Sequence, residues 1–452
     1  MANKITEYPV TVIGAGLAGT EAVAQLIRRS IPVRLIEMRP KVTTGAHSTD
    51  QFAELVCSNS VGSNLPDRAP GLLKEELRFL NSYFIDTAYK YRVPAGNALA
   101  VDRQAFSREI TRYIKTHSLV DYHNEECVEL PKDGIVIVAT GPLTSPKLLE
   151  AIAARLGKQQ LEFYDAVAPI VKAETINMDI AFKSDRYGDT GKGDYINCPM
   201  NKDEYHAFVE ALLSAERIDL SEMEKNAKKQ FFSACQPVEI IAETGSESLR
   251  FGPLKPVGLT DPRTGHRPWA NVQLRQDNLL GSLYNMVGFQ TNLRHPEQKR
   301  VFRMIPGLEN AEFVRLGQMH RNSYINAPAL LKPTMQLRDD PNIFFAGQLS
   351  GVEGYTESAM SGLVAGLNAA RLVQGKEPVV FPPTTMIGAL LNYITFEGHK
   401  EFHPMNINFG IFESKEGERS EARKERIVKG ARKTFREFIE KLKINSNTTI
   451  NQ

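Results

Sequence analysis

Residues Tyr8 to Glu37, YPVTVIGAGLAGTEAVAQLIRRSIPVRLIE, decide how this chain begins to fold. The β-branched run Tyr8 to Ile13 predicts a strand that stops at Gly14. The Ala-rich stretch from Gly19 to Ile27 predicts a helix, and Ile31 to Ile36 a second strand. Strand, glycine turn, helix and strand within about thirty residues make a βαβ unit, whose crossover requires parallel pairing. Inside it, Gly14-Ala15-Gly16-Leu17-Ala18-Gly19 fits the G-x-G-x-x-G pattern. Such a hexamer arises by chance, but its place between strand and helix gives each glycine a task. Gly14 allows the tight turn, Gly16 lets a pyrophosphate approach the backbone, and Gly19 lets the helix pack closely on its strand. Glu37 ends the second strand about twenty residues on, where a carboxylate can accept hydrogen bonds from ribose hydroxyls. A dinucleotide site is the reading, with a merely structural glycine turn as its rival.

Working outward, Gly134 to Ala139 (GIVIVA) is an apolar strand running into Thr140-Gly141-Pro142, and Ile343 to Ala346 runs into Gly347-Gln348. Buried parallel strands end in this way at a ligand crevice. The two turns look like the second conserved turn and the C-terminal flavin strand of two-dinucleotide flavoproteins. There, glycine lets backbone N–H groups approach the ribityl chain or the ring, which favours FAD over NAD. The expected architecture is α/β: a Rossmann-like FAD-binding domain in two parts, residues 1–173 and 322–452, interrupted by a smaller α+β insertion at 174–321. A chain of 452 residues is long enough for both. The insertion carries an expected amphipathic helix from Lys202 to Arg217 and a Lys-rich stretch from Glu222 to Gln230. A charged terminal helix follows, with Ile427, Ala431, Phe435, Phe438, Ile439 and Leu442 at helical spacing.

Composition narrows the function. A formal net charge of +2 is far from that of a dedicated nucleic-acid-binding domain. Ser414 to Lys443 is locally basic, with eleven Lys or Arg against six Glu, although a solvated helix face explains this as well. Cys57, Cys127, Cys198 and Cys235 form no C-x-x-C pair, so neither a zinc site nor a disulfide framework is expected. No stretch has the length of a membrane span, and the polar start lacks a signal sequence, so the expectation is a cytoplasmic protein with no membrane contact and no metal.

Several long stretches, in order, resemble one family, the folate- and FAD-dependent tRNA uracil-5-methyltransferases that make ribothymidine in the T loop. They include GAGLAG with EMRP (Glu37 to Pro40), FAELVCSNS (Phe52 to Ser60), VPAGNALAVDR (Val93 to Arg103) and ATGPLTS (Ala139 to Ser145). Others are QLRQDN (Gln273 to Asn278), GSLYNMVGFQTNL (Gly281 to Leu293) and FFAGQLSGVEGYTESAMSGLVAG (Phe344 to Gly366). The resemblance implies that reduced flavin takes methylene from 5,10-methylenetetrahydrofolate and delivers it to C5 of uracil, with NADPH or NADH as reductant and tRNA as partner. No obligate protein partner is evident.

Uracil C5 is a poor nucleophile until a group adds at C6, and a thiolate is the usual adduct-former. By motif position Cys235 matches the family's nucleophile, and Cys57 the cysteine placed against the flavin. Without the motif, each would read as an inert buried thiol. Cofactor contacts are expected from Gly14 to Gly19, Glu37, Arg39, Thr140, Gly141, Gly347 and Gln348. Tyr355 is a candidate to stack on flavin or folate, or a core tyrosine. His47, Arg275, His320 and Arg321 are candidates for folate or RNA by charge. Two departures stand out: Ser233-Ala234 replace the family's usual Glu-Gly before the nucleophile, and Val61-Gly62 follow the CSNS motif in place of Leu and a basic residue. They leave open the same chemistry on a 23S rRNA uridine, and an FAD-dependent small-molecule oxidoreductase without RNA stays as the alternative outside this class.

Overall fold

The computed structural model describes residues 7–157, 160–166, 168–189, 191–218, 236–317, 319–400, 402–415 and 417–442. Its first unit is the expected βαβ: β1 (Val10–Ile13), α1 (Leu17–Ile27) and β2 (Val33–Glu37). β1 is buried at every position because it lies in the middle of a parallel sheet covered on both faces. That sheet adds β3 (Val120–Asn124), β4 (Ile135–Val138) and β5 (Ile343–Phe345), in the order β5-β4-β1-β2-β3, with all pairs parallel. The sheet is therefore closed by a strand that arrives some two hundred residues after its neighbour, as an interrupted nucleotide domain requires.

Across α1 lies α2 (Tyr355–Val373), and small residues set how closely the two cross. A Cβ on Gly362 would fall 2.1 Å from the Ala18 carbonyl oxygen, and one on Gly366 would fall 2.6 Å from that of Ala22. Backbone touches backbone here, so the N-termini of α1 and α2 end up side by side over the C-terminal edge of the sheet.

The middle of the chain builds a separate six-stranded antiparallel sheet from Ile170–Lys172, Phe182–Lys183, Tyr195–Met200, Ala270–Gln276, Leu283–Met286 and Phe313–Arg315. Alternation sorts its two faces. Ile196, Cys198, Met200, Val272, Leu274, Tyr284 and Met286 enter a second core with Tyr205, Phe208 and Leu212 of the helix Lys202–Ser214. That helix starts at Asn201, whose side chain accepts from the Glu204 N–H while Glu204 accepts from the Asn201 N–H, a reciprocal cap. The opposite face carries Tyr195, Asn197, Asn271, Gln273, Arg275 and Asn285. It is polar, yet largely hidden from water. An antiparallel pair of strands, Gln160–Ala166 and Met319–Ile325, joins the two units. The expected Lys-rich stretch, Glu222 to Gln230, lies outside the described residues. No described helix is long and apolar enough to cross a membrane.

Candidate active site

The glycine turn behaves as its spacing demands. Gly14 has φ +96°, and a Cβ on Gly19 would fall 1.8 Å from the Gly14 carbonyl oxygen, so helix and turn interlock. A Cβ on Gly16, by contrast, would meet nothing, so open space lies over the N-terminus of α1, where an anion is favoured. Gly141 has the same open face. Glu37 is buried and ties the turn together: one carboxylate oxygen accepts from the Ala15 N–H at 2.7 Å, the other from the Arg39 N–H at 2.9 Å. Arg39 is buried too. Its guanidinium faces Glu37, Glu54 and the Gln51 carbonyl, so its visible work is to fix Glu37 rather than to reach outward. Gly14, Glu37, Met38, Cys127, Thr140 and Thr144 line a small cavity at this end. Gly347 lies against the same turn, its Cβ position 3.1 Å from the Ala18 Cβ, and donates its N–H to Ser361, while Gln348 donates to Glu353.

Cys57 is half-buried where three elements meet. Its N–H donates to the Tyr355 hydroxyl oxygen at 2.6 Å, and the Ser58 N–H donates to the same oxygen at 3.2 Å. Tyr355 thus anchors the thiol segment from the first residue of α2, and burial holds its phenol well above the usual range, in the neutral form. Arg103 binds the Leu55 and Cys57 carbonyls and pairs with Asp277 of the insertion at 2.9 Å. From the polar sheet face, Arg275 donates to Asn59 and to the Ser58 hydroxyl. Asn59 in turn donates to the Gln276 carbonyl. Burial lowers the Arg275 guanidinium from its ordinary value. Asn285 Nδ2, opposite Arg275 in the ladder, and Asn271 Oδ1, four residues along the strand from Arg275, are buried with no hydrogen-bond partner among the described residues. Native interiors rarely tolerate such atoms unless a ligand or water meets them.

Several sequence expectations now have places. Thr140 and Gly347 lie against the Gly14 to Gly19 turn and Glu37 is bonded to it, while Tyr355 and Cys57 meet each other. The Tyr355 hydroxyl serves the Cys57 loop. His47 is turned to Thr44 and pushed down to about 4, chiefly by burial and then by Arg39, which leaves it neutral at physiological pH. Cys198 is buried in the insertion core, where burial raises its thiol far above the usual range. Cys235 lies outside the described residues, as do the side chains of His320 and Arg321. Arg103, Asp277, Ser58 and Asn59 were not singled out from the sequence. The polar-apolar alternation of Asn271 to Arg275 was the available sign that one face of that strand had polar work to do.

With this geometry in hand, the comparisons are direct. The Glucose inhibited division protein A (GIDA) family matches residues 9–377. A Desulforamulus reducens protein named "Methylenetetrahydrofolate--tRNA-(uracil-5-)-methyltransferase TrmFO" is 54% identical over 446 residues, covering 97% of this chain and 99% of the relative. An Acetivibrio thermocellus protein of the same name is 58% identical over 405 residues, covering 90% and 92%. Among solved structures, Aquifex aeolicus GidA superposes with a TM-score of 0.69 at 18% identity, over 99% of this chain and 76% of that one, which shows the shared fold. A profile match over most of the sequence, together with relatives more than half identical from end to end, makes this chain a member of the GIDA family, on its methylenetetrahydrofolate--tRNA-(uracil-5-)-methyltransferase branch.

Proposed function

We propose that the chain methylates C5 of a uridine in the tRNA T loop, taking the carbon from 5,10-methylenetetrahydrofolate, with FAD in the glycine-lined crevice and NADPH or NADH as reductant. The observation that carries this reading is the meeting of the Cys57 loop, the start of α2 and the polar sheet face of the insertion at one place. The names of the relatives point the same way.

The residues fit the cofactor. Gly14 to Gly19 present backbone N–H groups at a helix N-terminus with open space above Gly16, suited to a pyrophosphate. Glu37 keeps lone pairs for ribose hydroxyls beside those used by Ala15 and Arg39. Thr140, Gly141, Gly347 and Gln348 bring main chain near the middle and the ring end of the crevice. When bound, the flavin supplies the electron pair that turns methylene into methyl. The Cys235 thiolate adds to C6 of the uracil, and the resulting C5 enolate attacks the one-carbon unit. The C5 proton then leaves with the Cys235 sulfur, restoring the 5,6 double bond. Cys57, held through its peptide by Tyr355 and Arg103, handles protons at the flavin side.

The test is incubation of the purified full chain with FAD, NADPH or NADH, methylenetetrahydrofolate and unmodified tRNA or rRNA transcripts, followed by mass spectrometry for 5-methyluridine. Methyl in the T loop is expected. Methyl only in rRNA would transfer the proposal to the ribosomal substrate, the reading that Ser233-Ala234 leaves open. Methyl in neither would leave the small-molecule oxidoreductase. Cys235→Ser is expected to abolish turnover while the protein stays yellow.

A further inference from the structure

The rim of the insertion beside the Cys57 cleft has a surface that the chemistry above does not use. Tyr187 is 81% exposed and sits at φ +64°, a left-handed conformation that costs any residue with a side chain. It is held there by its N–H donating to the Gly258 carbonyl, and its ring rests over Gly258, where a Cβ would come within 3.1 Å. Arg186 beside it donates to the Val257 carbonyl. Phe251, 82% exposed, stands on the same 249–258 segment. Among the described residues, no carboxylate pairs with Arg186, Lys192, Lys255 or Arg267. Most of the nearby acids already have hydrogen-bond partners. Asp194 accepts from the Gly96 N–H, Asp185 accepts from the Asp194 N–H, and Asp261 is held by Arg263, which leaves Asp189 exposed.

A chain of contacts joins this rim to the thiol. Loop 185–194 meets the Ala95-Gly96 segment of the nucleotide domain. Tyr195 donates to the Ala95 carbonyl, Arg275 lies close to Tyr195, and Arg275 binds Ser58 next to Cys57. Displayed aromatics among unpaired cations are how a protein meets RNA: phosphates find the charges, and a base finds a flat ring. A protein partner would more commonly cover a closed apolar patch with few charges at its centre.

We infer that this rim, Tyr187 with Lys192 of its own loop and Lys255 of the 249–258 segment it rests on, is the docking edge for the substrate RNA, where Tyr187 stacks on an unpaired base and the cations hold phosphates. The inference rests on the RNA-methylation reading above. It is tested with the full-length holoenzyme and a tRNA transcript, measuring binding across a salt series alongside methylation. Tyr187→Ala is expected to weaken RNA binding about 10-fold, whereas Tyr187→Phe stays near wild type. The Lys192→Ala/Lys255→Ala double variant is expected to lower the slope of log affinity against log salt by about 2. Flavin content and RNA-free NAD(P)H oxidation should not change in any of them. If Tyr187→Ala loses its flavin, the exposed charge pair alone decides. Wild-type methylation together with binding by these variants at wild-type strength and salt slope would overturn the docking edge alone. A wild-type enzyme that neither binds nor methylates RNA would sink the functional reading, and this edge with it.

Discussion

A phenol oxygen that accepts two main-chain N–H groups is a demanding anchor, because both donors are lost if the oxygen goes. Tyr355→Phe keeps the ring and its packing but leaves the Cys57 and Ser58 N–H groups without their acceptor. Buried donors stripped of a partner cost about 1–3 kcal/mol each, and here the cost falls on the position of the thiol loop. The expected outcome is a methylation rate at least roughly ten-fold lower with undiminished flavin absorbance, since about 1.4 kcal/mol of lost positioning is a factor of ten. A variant with wild-type initial rates would show that the loop is fixed by Arg103 alone. Glu37 gives the complementary case. Its oxygens hold the glycine turn itself, so Glu37→Ala is expected to yield colourless protein, read directly from the 450 nm absorbance after purification.

At the level of elements, two buried carboxylates stitch helices together. Glu21 of α1 accepts from the Phe84 N–H at the start of the helix Tyr83–Lys90, and Glu76 accepts from the Met386 and Ile387 N–H groups at the start of the helix Met386–Ile394. Burial pushes Glu21 up to about 7 and Glu76 up to about 8. The unfolded chain releases these protons near pH ~4.3, while the folded chain keeps them, so the folded form binds more protons in between. Their contribution is therefore whole below about pH 4 and is lost as pH rises through 7 and 8. The expected result is a thermal midpoint that falls between pH 5 and 8, with a shallower fall in a Glu21→Gln/Glu76→Gln variant; parallel curves would count against it. The crossing of α1 and α2 makes a second prediction. Gly362→Val would drive a side chain into the Ala18 backbone, and the expected loss is about 1–3 kcal/mol or more together with flavin, seen by calorimetry. The sequence carries Gly362 and Gly366 four residues apart within SAMSGLVAG, but that spacing does not say which helix they meet. The βαβ turn was legible, because it depends on local spacing. What local spacing could not reveal is that Glu37 and Arg39 would spend their charge on each other, or that the Tyr355 hydroxyl would meet a peptide almost three hundred residues away.

For the whole molecule, the decisive contacts join the insertion to the nucleotide domain. The pair Arg103–Asp277 is nearly hidden from water, and Asp277→Ala would leave the guanidinium buried without its counter-charge, at a cost of about 3–5 kcal/mol. Hydrogen exchange at Gln273 to Asn278 is expected to speed up and kcat to fall while flavin remains bound; unchanged exchange would refute a latch here. The middle region stands out in the sequence by its change of composition, but its docking was not legible, since Arg275 touching Ser58 is a long-range fact invisible to any window of sequence. The two arms that carry the insertion run side by side, with Gln160 opposite Ile325 at one end of the ladder and Ala166 opposite Met319 at the other. The smaller unit therefore stands on a stalk whose height is set by residue count. Taking two residues from each arm would preserve which way every side chain points, yet lower the head by roughly 6–7 Å, enough to carry Arg275 past its present neighbours. Stalk length thus sets the depth at which Arg275 meets the cleft, and a change in the number of rungs would be felt there first.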